Sequence, residues 1–420
     1  HLLLTIEQPA FLYGSLSLII VGCGFFKPNI SSLVGTLYEQ GDVRRDTGFT
    51  IFYLGINIGS ALAPLLCAWI AGKYGWHYGF ILAGFGMLTG LWWFHKGIKK
   101  NVFGKHGLIA NSQFFENKTA GLKNGALITV ISCMSVPLFA LIIRYYQYQS
   151  YLIFLTSIII FIWLGSIYFS VNKIEKRRLS VVFYFTLLAT LFWTIFEQGG
   201  SSLTLFADRN VRLMGINAAQ TNSINGTFII LLAIPFSALW PFLTKKKLNP
   251  NTPLKFGIGV FLLGAGFFIF ALSAQKTDAF AKTPFFFLVA GYFIQTIGEF
   301  FLSPIGLSKM TELSPAKYVS FILGVWFLSQ FYGQFFAGKI AGLTSIQSGG
   351  SNMLSEGLTG KVVSFITGLS PENITKMGKG YEQLYSYVSA YAILGMIAMV
   401  VGIIAMLLSP VIKKRMEGIN

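Results

Sequence analysis

Eleven apolar runs, each long enough to cross a bilayer as a helix, recur along this chain and constrain its fold more than any other feature. A hydrocarbon core needs about 20 apolar residues per helix. The runs predict helices at about 9–36, 45–72, 78–96, 124–144, 149–171, 179–206, 218–243, 254–274, 283–309, 317–342 and 384–409. Only 11% of the residues are charged, against roughly 25% in soluble domains. The expected class is therefore all-α and polytopic in the membrane. A secreted disulfide scaffold is excluded, because Cys23, Cys67 and Cys133 cannot make a framework and all lie in apolar runs.

The net charge of +17 would fit a nucleic-acid binder if the basic residues formed one patch. They fall instead in short clusters between the apolar runs. Lys96–Lys123, Lys173–Arg178, Lys245–Lys255, Lys309–Lys317 and Lys413–Arg415, with Arg44 and Arg45, hold most of the 32 basic residues on alternate connections. The positive-inside rule makes those connections, and the C-terminus, cytoplasmic. No nucleic-acid partner is expected. Eleven helices with a cytoplasmic C-terminus place the N-terminus outside. The chain opens at His1 with no signal peptide, so an odd number of helices is expected to precede it. Residues 97–123 read as a polar cytoplasmic linker and 343–383 as an external loop with a short helix near 357–367.

Thirteen of the 15 acidic residues lie in loops or at helix ends. Glu197 and Glu299 sit within apolar runs, as does Lys27. A charge near the bilayer centre costs at least about 2.5–3.5 kcal/mol, so three of them need a compensating reason, for which a substrate or proton site is the functional reading. A buried ion pair of Lys27 with one acid would leave the other acid unmatched. Asn57 and Asn225 are amides within apolar runs, equally suited to interhelical bonding and to a ligand. Gly55 and Gly59 have the spacing of a helix-packing face. Trp326 lies mid-helix, away from the interfacial belt, as a cavity wall or a core residue. His77, His95 and His106 lie at helix ends or in loops, so no metal site is expected. There is no P-loop, zinc-protease motif, serine elbow or intramembrane aspartate pair, so neither an ATP-driven pump nor an enzyme is expected.

At these residues the chain resembles the proton-dependent oligopeptide transporter (POT) family. The resemblance rests on Gly22-Cys23-Gly24-Phe25-Phe26-Lys27-Pro28-Asn29-Ile30-Ser31, on Arg44–Tyr53 continuing through Asn57-Ile58-Gly59 to Ala63-Pro64, and on Phe192–Ser201. It rests also on Gly298-Glu299-Phe300-Phe301-Leu302-Ser303-Pro304-Ile305-Gly306 and Trp326-Phe327-Leu328-Ser329. The resemblance implies a major facilitator fold with two extra helices between its halves. Residues 1–96 would be the remainder of the N-terminal bundle, helices 4 to 6. Residues 97–178 would be the linker and two inserted helices, and 179–420 the C-terminal six-helix bundle, helices 7 to 12. Helices 1, 2 and most of 3 would precede His1, carrying the family's E-x-x-E-R-F motif.

By this resemblance the protein is a proton-coupled symporter that imports di- and tripeptides by alternating access. Lys27 would attract the peptide carboxylate and Glu299 its ammonium. Asn57 and Asn225 would bond the termini or peptide groups, and Ser303 and Trp326 would line the pocket. Glu197 would carry the coupled proton, alternately paired with Lys27 or with an arginine of helix 1. The alternatives are a relative carrying an amino-acid conjugate or nitrate, or a channel; a fixed carboxylate at Glu299 speaks against an anion. The expected partners are peptide, protons and the lipid bilayer. No cofactor is expected beyond protons as the coupling ion, and the protein is expected as a monomer in the bacterial inner membrane.

Overall fold

The structure, a computed structural model, describes residues 1–38, 44–104, 112–119, 121–343 and 357–418. Among them, nine segments are long and apolar enough to cross a membrane. The chain divides into two compact units, His1–Trp163 and Leu164–Asn420.

The first unit holds α1 (Pro9–Thr36), α2 (Arg44–Tyr74), α3 (Trp76–Lys99), α4 (Ser112–Glu116) and α5 (Asn124–Arg144). The helix α6 (Gln149–Ser170) runs across the division. Proline at the first position of α1 presets the helical φ where no amide bond is needed. Gly75, at φ 103°, makes the tight reversal between α2 and α3, a conformation that side chains with a Cβ rarely adopt. A short antiparallel pair, β1 (Lys118–Thr119) with β2 (Leu122–Lys123), precedes α5. α1 packs on α5, and α2 on α3.

The second unit holds α7 (Lys173–Phe196), α8 (Ser202–Asn210), α9 (Ser223–Lys245), α10 (Thr252–Leu272), α11 (Phe285–Leu313), α12 (Val319–Leu343), α13 (Gly357–Thr367), α14 (Pro371–Met377) and α15 (Lys379–Arg415). A parallel pair, β3 (Val211–Arg212) with β4 (Thr283–Pro284), closes one end. α7 starts on a capping box, in which Asn172 accepts from the Glu175 amide and Glu175 accepts from the Asn172 amide. Asn251 caps α10 by accepting from the Leu254 amide at 2.9 Å.

α10 is the central pillar of this unit. Its glycines come in two heptad-spaced pairs. Gly257 and Gly264 face α15, where a Cβ at Gly264 would meet the Gly395 carbonyl oxygen at 2.6 Å. Gly259 and Gly266 face α11, where a Cβ at Gly259 would meet the Gly298 carbonyl oxygen at 2.8 Å. Small residues at such spacing let helix backbones approach closely, which is how helices associate where no hydrophobic driving force exists between them. By contrast, a Cβ at Gly55 or Gly59, expected to pack, meets no described atom within 4 Å.

Most expected spans match their helices to within a few residues, and 78–96 and 317–342 form α3 and α12. The span expected at 179–206 is not one helix. It breaks after Phe196, passes through a 3-10 turn at Glu197–Gly200, and resumes as α8. Lys255, counted with a basic connection although it falls within the span expected at 254–274, lies in the first turn of α10 and is buried.

Candidate substrate-binding site

The helix break in the second unit positions its first acid. The adjacent Gly199 and Gly200 each cost a helix about 1 kcal/mol relative to alanine. The Gln198 side chain stabilises the broken form. Its Nε2 donates to the carbonyls of Ala337 on α12, at 3.1 Å, and of Thr194, at 3.3 Å. Its Oε1 accepts from Ser202 Oγ at 2.7 Å. Gln198 is thus fully buried with its amide satisfied, and the partly buried Glu197 is fixed at the break. Interrupted helices of this kind supply binding sites in transporters, because their freed backbone and side-chain groups can face a cavity.

The second acid is clamped across two helices. Asn225, in the first turn of α9, donates through Nδ2 to Glu299 Oε2 at 3.1 Å and to Thr296 Oγ1 at 3.0 Å. Thr296 Oγ1 in turn donates to the Tyr292 carbonyl at 2.8 Å. Asn225 therefore gives one amide hydrogen to the carboxylate and anchors itself with the other on Thr296. No basic side chain of this unit pairs with Glu299 among the described residues. Glu197 lies within electrostatic reach of it. The arrangement is a partly buried, oriented carboxylate with acceptor capacity left over. That chemistry suits an ammonium or another cationic donor.

The remaining expected residues fall as follows. Trp326, 5% exposed, meets Phe256 of α10 edge-on at 6.3 Å between ring centroids and lies over Gly306 of α11. Ser303 is on α11, one turn after Glu299, and its side chain lies outside the described residues. Lys27 and Asn57 belong to the first unit. Lys27 is an exposed residue of α1. Asn57 is buried on α2 and donates to the Tyr53 carbonyl, one turn back, at 2.9 Å. The structure thus brings together Asn225 and Glu299, with Glu197 nearby.

Two participants escaped the sequence reading. Thr296 shares the clamp, and its position three residues before Glu299 on a helix was the available signal. Tyr292, a further turn back, buries a hydroxyl that has no partner among the described residues. A Cβ at Gly199 in the break would lie 3.5 Å from that hydroxyl.

Comparison with known proteins places the chain as a whole. Residues 3–353 match the profile described as the POT family. An uncharacterised transporter of Bacillus subtilis, YclF, is 35% identical over 413 residues, covering 97% of this chain and 75% of that protein. The peptide transporter YePEPT of Yersinia enterocolitica is 37% identical over 341 residues, covering 77% of this chain and 66% of that one. A di-/tripeptide transporter of Lactococcus lactis is 30% identical, covering 87% and 76%. Among solved structures, a peptide transporter POT in complex with sulfate superposes with a TM-score of 0.78 at 31% identity, over 99% of this chain and 78% of that one. A POT family transporter in complex with a thioalcohol-conjugated peptide gives 0.72 at 27% identity, over 98% and 79%. The apolar helices, the interrupted α7 and these matches agree that the chain is a multi-pass membrane protein of the POT family, with the major facilitator fold of its structural neighbours.

Proposed function

We propose that the protein is a symporter that imports di- and tripeptides together with protons by alternating access. The observation that carries this reading is Glu299, oriented by Asn225 and, among the described residues, paired with no basic group of its unit. A peptide's terminal ammonium supplies the missing cation. The relatives from Yersinia and Lactococcus, described as peptide transporters, support the substrate class. Lys27 is the candidate for the peptide carboxylate. Asn57 and Asn225 are candidates for the peptide groups, and Ser303 and Trp326 for the lining. Recognition of the backbone ends leaves side chains loosely held, which fits a broad range of peptides.

Glu197 is the candidate for the coupled proton, with Lys27 as its alternating partner. Opposite charges about 4 Å apart interact by roughly 4 kcal/mol at an effective dielectric of 20, enough to make protonation and pairing exclusive steps. One proton crossing about 100 mV releases about 2.3 kcal/mol, close to fiftyfold accumulation. In this reading protons are the coupling ion and no cofactor takes part. The carrier works as a monomer in the bacterial inner membrane with its C-terminus cytoplasmic.

The test is reconstitution of the full-length protein in liposomes with an imposed pH gradient. Wild type should concentrate dialanine, and N-acetylated dialanine should compete poorly. Equal competition by the two peptides would overturn the role of Glu299. A Glu197→Gln variant should lose proton-driven accumulation and keep peptide counterflow; accumulation in that variant would move the proton site elsewhere.

A further inference from the structure

Away from these acids, at the end of the second unit that carries the C-terminus, lies a cavity of about 810 Å³. It is bounded by the end of α9, the 246–251 connection, the first turn of α10, the last turns of α11 and the last turn of α15. Among the described residues four lysines line it, Lys247, Lys255, Lys309 and Lys413, and no acidic side chain does.

Lys255 is the telling member. It is only 9% exposed, yet no carboxylate or hydrogen-bond acceptor is paired with it among the described residues. Its ammonium sits 4.0 Å from the centre of the Trp240 ring. Its electrostatic neighbour is another cation, Lys309, whose own partner is Glu312 at 2.6 Å. The start of α10 adds the positive end of a 21-residue helix to the same place. Burying like charges together is unfavourable unless a counter-charge joins them. The ring face supplies Lys255 with no full counter-charge, and no carboxylate reaches it among the described residues.

Lysine ammoniums serve as point-charge ligands for phosphate. Trp and Lys together mark the boundary where lipid headgroups lie. A second, shallower hollow of about 720 Å³, lined by Trp240, Pro241, Phe242, Thr244 and Lys245, adjoins the first through the shared Trp240. An apolar wall beside a cationic pocket fits a molecule with a phosphate head and an apolar tail. We propose that the lysine cavity binds a phosphate group, and that its source is the headgroup of an anionic phospholipid.

The experiment uses the purified full-length protein and counts phosphatidylglycerol retained, against phosphatidylcholine, by native mass spectrometry. Wild type should hold one phosphatidylglycerol selectively. Lys255→Gln and Lys413→Gln should each weaken it by about fivefold, as expected for removing one lysine from a lipid-facing cluster. Lys255→Arg, which keeps the charge, should retain the lipid, and Lys118→Gln in the first unit should have no effect. A second arm measures thermal protection by inorganic phosphate. Protection by phosphate without phosphatidylglycerol selectivity would overturn the lipid source and leave a soluble phosphate in its place. Unchanged lipid retention in the Lys255→Gln/Lys413→Gln double variant, with no protection of wild type by phosphate, would overturn the site altogether.

Discussion

The two units are made of helices of similar hydropathy and bury them very differently. The segment Asn124–Arg144 of the first unit has a mean hydropathy of 2.5 in its most apolar window, and none of that window is buried. Thr252–Lys276 of the second unit is slightly less apolar at 2.2, and 61% of its window is buried. The largest fully buried side chains, among them Tyr387, Tyr391, Phe192, Phe206 and Phe267, all belong to the second unit. In the first unit the buried apolar residues are mainly alanines, Ala61, Ala68 and Ala71. Hydropathy therefore reports which solvent a helix tolerates. It does not report how much of a helix packs against protein, since lipid tails are as apolar as leucine.

The substitution that should break this contrast most forcefully is Gly264→Leu. Its Cβ alone would collide with the backbone of α15, which cannot move aside as a side chain can. Overpacking typically costs about 1–3 kcal/mol, and a backbone obstruction lies at or above that upper end. We expect loss of the monodisperse peak in size-exclusion chromatography after extraction. Gly59→Leu in the first unit has open space and should stay within about 0.5 kcal/mol of wild type. Equal damage from both substitutions would mean that the glycine pairs of α10 are not what distinguishes the units.

The next effect concerns the clamp. Asn225→Ala removes a hydrogen bond to a carboxylate, worth about 1.5–3 kcal/mol, and frees Glu299 to rotate. Dialanine binding should weaken by roughly ten- to hundredfold. Membrane insertion should be unaffected, because the variant removes a polar group from a helix. Equilibrium binding in detergent checks this, and unchanged affinity would remove Asn225 from the site. Asn57→Ala offers the matching test in the first unit. There one amide hydrogen is already given to its own helix, so a comparable loss would mean that the side chain turns to the ligand on binding.

How much of this was legible follows from what each signal measures. α1, α5 and α13 matched the expected limits, because apolar runs ended there at proline, polar or charged residues. Glu299 and Asn225 stood out as polar residues in apolar runs, but that they bond each other is a fact of tertiary packing. The break after Phe196 was hidden, since Ile195-Phe196 and Leu203-Thr204-Leu205-Phe206 read as one apolar run across Gly199-Gly200. Lys255 was assigned to a connection because it was grouped with Lys245, Lys246 and Lys247. It nevertheless falls within the expected helix 254–274, and the start signals of α10, Asn251 as cap and Pro253 in the first turn, put that start two residues earlier still. The heptad glycines of α10 were equally visible and went unread.

A smaller loss is expected at the Gln198 network. Gln198→Leu would leave the Ala337 carbonyl and the Ser202 hydroxyl without the partners they have now. Buried unsatisfied groups cost about 1–3 kcal/mol, and a carbonyl can find a substitute more readily than a charge can. The melting temperature should fall by a few degrees. Gln198→Glu should be tolerated less well, because it adds a third acid beside Glu197 and within the same unit as Glu299. A variant Gln198→Leu as stable as wild type would mean that the break after Phe196 is set by its glycines alone.

The smallest effect sets an ion pair in one unit against its counterpart in the other. In the second unit Arg212 Nη2 donates to Asp278 Oδ2 at 2.6 Å. The amides of Phe280 and Lys282 donate to Asp278 Oδ1, each at 2.9 Å, and Tyr381 Oη donates to its carbonyl at 2.8 Å. The hydrogen bond from Arg212, helped by those two amides, holds the Asp278 carboxyl below its ordinary range. In the first unit Glu7 meets His77 at 2.6 Å, with the Glu7 side chain 79% exposed. Exposed pairs of that kind contribute about 1 kcal/mol at most. A carboxyl with a depressed folded pKa adds stability throughout the range above its unfolded value, about 3.9 for aspartate. That contribution is lost as the pH falls through the folded value. Asp278→Asn should therefore lower the melting temperature at pH 7 and make less difference as the pH approaches 3. Glu7→Gln should make little difference at pH 7. Melting temperatures of the three proteins across pH 3–7 check both expectations. A penalty for Asp278→Asn that is the same at pH 3 and pH 7 would show that the carboxylate's shape, and not its charge, holds this end of the unit together.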